Sequence, residues 1–260
     1  MADTARRAGW ALRGIFRLAG LAVLAVLSIV AVLAVPLAWL LRRGPFVLRF
    51  GLAYGALSLG LWWAATAGQL TRQPLAAGAP AALHVPALFT VLNRAYVSPE
   101  MQAVAHDLAQ HMAARHPGTV TVALDGSHPF SRLPLIPHLS HNDGEKLDIA
   151  LYWTDAAGRY QPGRSRSPIG YWGYAEGPTD CPARLSDLRW DLPWLQRRLP
   201  DLRLDHDRTR TALLWLAEDP RVTRVLVEPH ILASLGLSHP KLRFQGCRAA
   251  RHDDHIHFQL

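Results

Sequence analysis

Residues 251–260 read RHDDHIHFQL, and residues 137–153 read PHLSHNDGEKLDIALYW. Together these two stretches hold five of the thirteen histidines in the 260-residue chain. Histidines concentrated in this way indicate a metal site, because zinc takes neutral imidazole nitrogens and carboxylate oxygens as ligands. The other histidines are scattered, and we interpret the following as ordinary surface or core residues: His106, His111, His116, His128, His206, His230 and His239.

The stretch at residues 251–260 predicts a terminal β-strand over 255–260. Side chains two positions apart in a strand point to the same face. His255 and His257 therefore share one face, while Ile256 and Phe258 share the other. Imidazole groups on a strand face are costly to bury unless they are paired or bind a metal, and a metal would remove that cost.

The stretch at residues 137–153 supplies a carboxylate and another imidazole. Asp148 precedes the apolar run 149–151, which places it at the start of a buried strand. His141 lies seven positions earlier, and Gly144 permits the tight turn that brings His141 back beside Asp148. With His257, these residues form a set of two imidazoles and one carboxylate, which leaves a zinc coordination position open for catalysis.

Two long apolar segments lie in the first part of the chain. Residues 18–41 contain 24 positions without a charge, and residues 50–70 contain 21. Each is long enough to cross the roughly 30 Å hydrocarbon core as a helix. Arginines both precede the first segment and lie between the two, so the positive-inside rule leaves the orientation open. A secretory signal peptide is the alternative for the first segment, but its apolar core is usually shorter, about 7–15 residues.

We divide the chain into three parts on this basis. Residues 1–72 form a membrane anchor with one or two transmembrane helices, and residues 73–84, rich in Pro and Gly, form a linker. Residues 85–260 form a domain of the α+β class that carries the predicted zinc site. Its small, mostly antiparallel sheet carries the zinc site, and helices flank the sheet.

The periodicity of apolar residues predicts the elements of this domain. Residues 154–182 are rich in Gly, Pro, Ser and aromatics and are predicted to form surface loops, whose aromatics either line a substrate groove or pack a small core. Strands are predicted at Thr119–Leu124, Leu147–Trp153, Val222–Val227 and His255–Leu260, and helices at Pro99–Arg115, Ser186–Arg198 and Arg208–Glu218.

The basic composition indicates the class of partner. The formal net charge is +8, and arginine accounts for all but two of the 28 basic residues. The arginines are scattered and flank the apolar segments, which favours membrane lipid or an acidic polymer over nucleic acid as a partner. The two cysteines, Cys181 and Cys247, are compatible with one disulfide in an oxidising compartment or with two buried thiols.

The spacing of these residues resembles that of a peptidase group which includes lysostaphin, the D-alanyl-D-alanine metallopeptidases and the hedgehog signalling domain. That group has a His, six residues, an Asp and, later, a His-x-His. This chain has His141 and Asp148 at that spacing, followed by His255 and His257.

The penicillin-insensitive murein endopeptidases of this group resemble the chain more closely. They have another His three residues before the first ligand, as His138 is here, and a Gly three residues after it, as Gly144 is. They also have a His three residues before the His-x-His, as His252 is. The resemblance covers roughly residues 90–260, although relatives of this kind have a signal peptide and several disulfides, and this chain has apolar segments instead.

The resemblance implies roles for individual residues. His141, Asp148 and His257 would hold Zn2+, which activates water and polarises the scissile carbonyl. His255 would be the general base or stabilise the oxyanion, with His252 as a second catalytic histidine. His138 would orient substrate or ligands. Because some relatives use a Glu as the base, Glu176 and Glu228 are weaker candidates.

The implied function is hydrolysis of the peptide cross-links of peptidoglycan by an enzyme anchored in the bacterial inner membrane, with its catalytic domain facing the periplasm. Three alternatives remain open. One is a D,D- or L,D-carboxypeptidase or dipeptidase acting on wall peptides, which shares the metal chemistry. Another is a non-catalytic binding module that zinc stabilises. The third is a small membrane protein whose histidines only buffer or carry metal, which would bind it loosely and hydrolyse nothing.

Overall fold

The computed structural model describes residues 19–20, 23–25, 27–130, 132–135, 138–179, 181–182, 184 and 189–260. The chain is a mixed α and β protein with small sheets, as expected. Its helices are α1 (Ile29–Leu40), α2 (Phe46–Thr66), α3 (Ala87–Val91), α4 (Pro99–Arg115), α5 (Pro193–Gln196), α6 (His206–Glu218) and α7 (Pro229–Ser234). Its strands are β1 (Gln73–Pro74), β2 (Leu83–His84), β3 (Tyr96–Val97), β4 (Thr121–Val122), β5 (Lys146–Ala150), β6 (Trp153–Thr154), β7 (Arg203–Leu204), β8 (Arg224–Leu226), β9 (Leu242–Arg243) and β10 (His255–Gln259).

Helices α1 and α2 pack together as an apolar hairpin. Helix α2 is long and apolar enough to cross a membrane, whereas α1 has only 12 residues. The expected continuous helix over 18–41 is interrupted in the described residues at Ser28, which has an extended backbone. The interface uses small alanines, with Ala34 and Ala38 packed against Ala53, so close approach does not depend on the glycines of α2.

The segment 73–84, which was expected to be a linker, is part of the folded domain. Strand β1 pairs antiparallel with β3, and β2 pairs parallel with β4. Leu75 between them is fully buried in the main core. The Pro and Gly content of this segment suits the turns between two-residue strands, which explains why the sequence pattern resembled a linker.

The candidate site lies on a four-stranded sheet in the order β5-β10-β8-β9. Within this sheet, β10 is antiparallel to both β5 and β8, and β9 is parallel to β8. Ile256 and Phe258 are fully buried on the core side of β10. Residues of α4 and α6 belong to the same core, which agrees with the predicted flanking helices.

Helix α4 matches its predicted bounds, and α6 begins two residues earlier than predicted. The predicted helix Ser186–Arg198 is reduced to α5, although residues 186–188 lie outside the described part of the chain. Pro193 accounts for the late start of α5, because the residue before a proline disfavours the helical backbone conformation. The expected strand Leu147–Trp153 is divided, because β5 pairs with β10 while β6 pairs with β7.

The loop region 154–182 packs most of its aromatic side chains inside and is tied to a later segment by a disulfide. Tyr174 is buried, Tyr171 packs against the core, and Trp172 is partly exposed, so most of these aromatics pack inside. Cys181 and Cys247 form a disulfide that joins this loop region to the segment after β9.

Candidate metal centre

The site is built on the pairing of β5 with β10. Asp148 and His257 are direct partners in this antiparallel register, so both side chains project from the same face of the sheet. The Nδ1 atom of His257 lies 2.8 Å from Oδ1 of Asp148. Both residues are buried, because the loops after β4 and before β10 cover this face.

His141 approaches the pair from the loop that precedes β5. Its Nε2 atom lies 3.0 Å from Nδ1 of His257 and 3.3 Å from Oδ1 of Asp148. Its other ring nitrogen, Nδ1, donates a 2.6 Å hydrogen bond to the carbonyl of Gly126. A carbonyl can only accept, so in the neutral ring the proton is on Nδ1 and Nε2 carries the lone pair that a metal requires. Histidine ligands of metals are usually held in this way.

The second carboxylate oxygen of Asp148, Oδ2, contacts groups outside the triad formed by His141, Asp148 and His257. It accepts a 2.8 Å hydrogen bond from the hydroxyl of Tyr171 and lies 3.0 Å from Nδ1 of His138. Nε2 of His255 is 3.7 Å away. Asp148 therefore directs Oδ1 towards His141 and His257, while Oδ2 belongs to a surrounding shell of polar groups.

Asp125 anchors that outer shell. Its carboxylate forms two hydrogen bonds with the guanidinium of Arg94, at 2.7 and 2.8 Å, and lies 3.3 Å from Nδ1 of His138. Burial works against ionisation, but Arg94 and His138 outweigh it and lower the pKa of Asp125 to about 2. Burial likewise opposes the charged form of His138, yet Asp148 and Asp125 raise the pKa of His138 to about 10.

His255 and His252 flank the triad on the side of β10. Nδ1 of His255 forms a hydrogen bond with the carboxylate of Asp254, which also accepts one from the main-chain N–H of Trp172. The ring centroids of His252 and His255 are 4.9 Å apart. Its buried Nδ1 has no hydrogen-bond partner among the described residues. Burial, and then the neighbouring imidazoles, lower the pKa of His252 well below its usual value.

The donor set fits a divalent metal. His138, His141 and Asp148 each offer a ligand atom, all within 4.8 Å of one another, and could hold a metal ion. The distances among His141, Asp148 and His257 run from 2.8 to 3.3 Å. Ligand atoms around a tetrahedral zinc ion, at about 2.0–2.2 Å from it, lie about 3.3–3.6 Å from each other. Two imidazole nitrogens and one carboxylate oxygen thus converge at nearly the required spacing.

All six histidine and aspartate residues singled out from the sequence come together in the structure. They are His138, His141, Asp148, His252, His255 and His257. The two glutamates considered as alternative general bases do not lie beside these residues in the same way. Glu176 is exposed, and Glu228 is buried in a salt bridge with Arg189 while accepting a hydrogen bond from the main-chain N–H of His252.

Sequence reasoning missed three residues that touch the site. The sequence patterns described above gave no role to Asp125, and they covered Tyr171 only as one of the aromatics of 154–182. Asp254 stands beside His255 in the quoted stretch, and this adjacency was the available signal. Asp125 reaches His138 across 13 residues of chain, and Tyr171 reaches Asp148 across 23, so no local pattern marks them.

Comparison with known proteins adds no identification. No protein-family model matches the chain, and no curated protein matches it.

Proposed function

We propose that this chain is a membrane-anchored zinc metallopeptidase of the murein endopeptidase type, which hydrolyses peptide cross-links of peptidoglycan. The observation that carries the proposal is the convergence of His141, Asp148 and His257, with His255 beside them. Four side chains from two distant stretches meet on one sheet face, in the order and spacing that resemble this peptidase group.

His141, Asp148 and His257 are the residues that would hold zinc, through Nε2, Oδ1 and Nδ1. When bound, zinc supplies Lewis acidity, which polarises an amide carbonyl and makes water a nucleophile near neutral pH. Three protein ligands leave one coordination position free, as in catalytic zinc sites. A structural site would have a fourth protein ligand, whereas His138, the further imidazole in this group, is held through Nδ1 between Asp125 and Oδ2 of Asp148.

His255 is the group best placed to move a proton during hydrolysis. Asp254 accepts a hydrogen bond from its Nδ1, which leaves Nε2 on the side of Asp148 to take a proton from water and pass it to the leaving amine. Asp148 and Asp254 together raise the pKa of His255 against the opposing effect of burial. A protonated His255 is thereby stabilised after it has accepted the proton.

The remainder of the chain supports a wall peptide as substrate. The apolar hairpin of α1 and α2 suits anchoring in the inner membrane beside the polymer. The disulfide between Cys181 and Cys247 suits an oxidising compartment such as the periplasm. The arginine-rich composition suits a substrate that carries free carboxylates.

The test is hydrolysis of purified cross-linked muropeptides by the full-length chain in detergent. We expect cleavage that a chelator abolishes and added zinc restores. His255→Ala should lose cleavage but keep its zinc, whereas His206→Ala, at an exposed position on α6, should behave as wild type. Release of single terminal residues instead of cross-link cleavage would indicate a carboxypeptidase. Stoichiometric zinc with no product at all would contradict hydrolysis and favour a binding module.

A further inference from the structure

Arg72 lies six residues after the end of α2 and directly before β1. Its side chain is buried, with 5% of the residue exposed. The guanidinium donates hydrogen bonds to three main-chain carbonyls far along the chain: those of Asp143 (3.2 Å), His128 (2.6 Å) and Asn142 (2.7 Å).

These three carbonyls lie on both sides of His141. Asn142 and Asp143 directly follow His141 and begin the turn that leads to β5. His128 lies two residues after Gly126, whose carbonyl accepts the hydrogen bond from Nδ1 of His141. One side chain therefore joins the segment that carries His141 to the segment that sets the orientation of its ring.

The turn at Gly144 is packed against the same side chain. Gly144 has a φ of +90°, a conformation that favours glycine. A Cβ atom at this position would lie 3.2 Å from Cγ and Cδ of Arg72 and 3.0 Å from the main-chain nitrogen of Ser98. The turn after His141 is thus held by the hydrogen bonds of Arg72 and by close packing against the same side chain.

A buried guanidinium is an expensive way to fill space, because its charge loses hydration. An apolar residue of similar size would fill the same volume without that cost, but it would remove the guanidinium donor from all three carbonyls, of which that of His128 would keep a 3.3 Å hydrogen bond from the hydroxyl of Ser127. Arginine suits the task because its planar guanidinium presents five N–H groups in a fixed arrangement and can reach several acceptors at once.

We propose that Arg72 is a positioning residue for the metal site, which holds the His141 loop to the segment of chain that leaves helix α2. This inference rests on the proposed function, since it takes His141 as a metal ligand. It makes the membrane-proximal segment part of the site: the chain that emerges from α2 supplies the contact that sets where Nε2 of His141 lies.

The test is the zinc affinity of the full-length chain in detergent, measured by competition with a chromophoric chelator. Loss of an outer-shell partner of a metal ligand typically weakens metal affinity by about 10–100-fold, and we expect Arg72→Gln to do so. Arg72→Lys should be intermediate, because an ammonium group cannot reach all three carbonyls. The matched control is Arg221→Gln, which removes a guanidinium bound to Asp219 and Asp107 and should leave the affinity unchanged.

The visible spectrum of the Co2+-loaded chain provides a readout that does not depend on stability. We expect Arg72→Lys to change the absorption bands that report ligand geometry, while Arg221→Gln leaves them unchanged. If Arg72→Gln does not fold, Gly144→Ala is the second variant, since it displaces the same turn and should weaken zinc binding as well.

The outcomes separate the two proposals. A folded Arg72→Gln chain whose zinc affinity is within twofold of wild type would overturn the positioning role and leave the metal site intact. If Arg72→Gln is unfolded, wild-type affinity and cobalt spectra in both Arg72→Lys and Gly144→Ala would overturn it. A wild-type chain that binds no zinc would overturn the proposed function itself, and the positioning role with it.

Discussion

His257 and Asp148 are directly opposite each other in the β5–β10 pair, with Nδ1 of His257 2.8 Å from Oδ1 of Asp148. The register of the sheet determines this proximity. A slip of one residue would turn His257 into the core and Phe258 towards the site, because successive side chains of a strand alternate between faces. The burial of Ile256 and Phe258 therefore stabilises the register that assembles the metal ligands.

The first prediction separates metal ligands from the catalytic histidine. His257→Ala should purify with less than about a tenth of the wild-type zinc, since it loses one of three ligands. His255→Ala should retain zinc, because its Nε2 lies 3.7 Å from the outer oxygen of Asp148. Metal analysis of the purified chains by mass spectrometry measures both. Equal zinc loss in the two variants would contradict the assigned roles.

Asp254 is predicted to orient His255. Replacing it by Asn keeps an oxygen that can accept from the N–H of Trp172 but removes the charge that holds the proton on Nδ1 of His255. We expect kcat on muropeptides to fall by about 10²-fold or more, with KM and zinc content little changed. Asp201→Asn, at an exposed position, is the control. Wild-type kcat in Asp254→Asn would remove Asp254 from the mechanism.

Tyr171 is predicted to tune the metal ligand Asp148. Its hydroxyl donates to Oδ2 of Asp148 and accepts from the main-chain N–H of Asp125. Tyr171→Phe keeps the ring packing and removes both bonds, so zinc affinity should fall by about tenfold or more. The chelator competition used for Arg72 measures this change. The hydroxyl of Tyr160 donates instead to the carbonyl of Val120, so Tyr160→Phe should leave the affinity unchanged.

His128 is predicted to make stability depend on pH. Burial, followed by Arg94 and Arg72, lowers the pKa of His128 to about 4, compared with about 6.5 in the unfolded chain. The unfolded chain takes up this proton first as the pH falls. The contribution is therefore fully present above about pH 6.5 and decreases by about 1.4 kcal/mol per pH unit between pH 6.5 and 4.

Chemical denaturation with chelator present, at pH 7 and pH 4.5, measures this effect. His128→Gln should lose less free energy of unfolding than wild type over this interval, because Gln does not titrate. His206→Gln, at an exposed position, should keep the wild-type dependence. An unchanged pH dependence in His128→Gln would show that other groups are responsible.

The last prediction concerns where the folded domain begins. A fragment that starts at residue 85 lacks β1, β2, the buried Leu75 and Arg72. Compared with a fragment that starts at residue 68, it should unfold at lower denaturant concentration and bind zinc more weakly. Circular dichroism and chelator competition on the two fragments measure the difference. Equal stability would show that 73–84 is dispensable.

The sequence alone determined the chemical types at the site and the faces that carry them. The alternation of His255 and His257 with Ile256 and Phe258 predicted the strand and its two faces, because strand periodicity is a local property of the chain. Apolar periodicity likewise predicted the bounds of α4. Charge-free length predicted two apolar helical segments, of which α2 is long enough to cross a membrane and the first is interrupted at Ser28. Composition was misleading for 73–84, where Pro and Gly form turns between short strands.

Tertiary structure decided which residues surround those ligands. The contacts of Asp125 with Arg94, of Tyr171 with Asp148 and of Arg72 with the His141 loop join positions 23 to 71 residues apart. The register of β5 on β10, with a separation of 109 residues between Asp148 and His257, is also of this kind. Such contacts depend on how the whole core packs, and no local pattern of polar and apolar residues encodes which distant partner a side chain will meet.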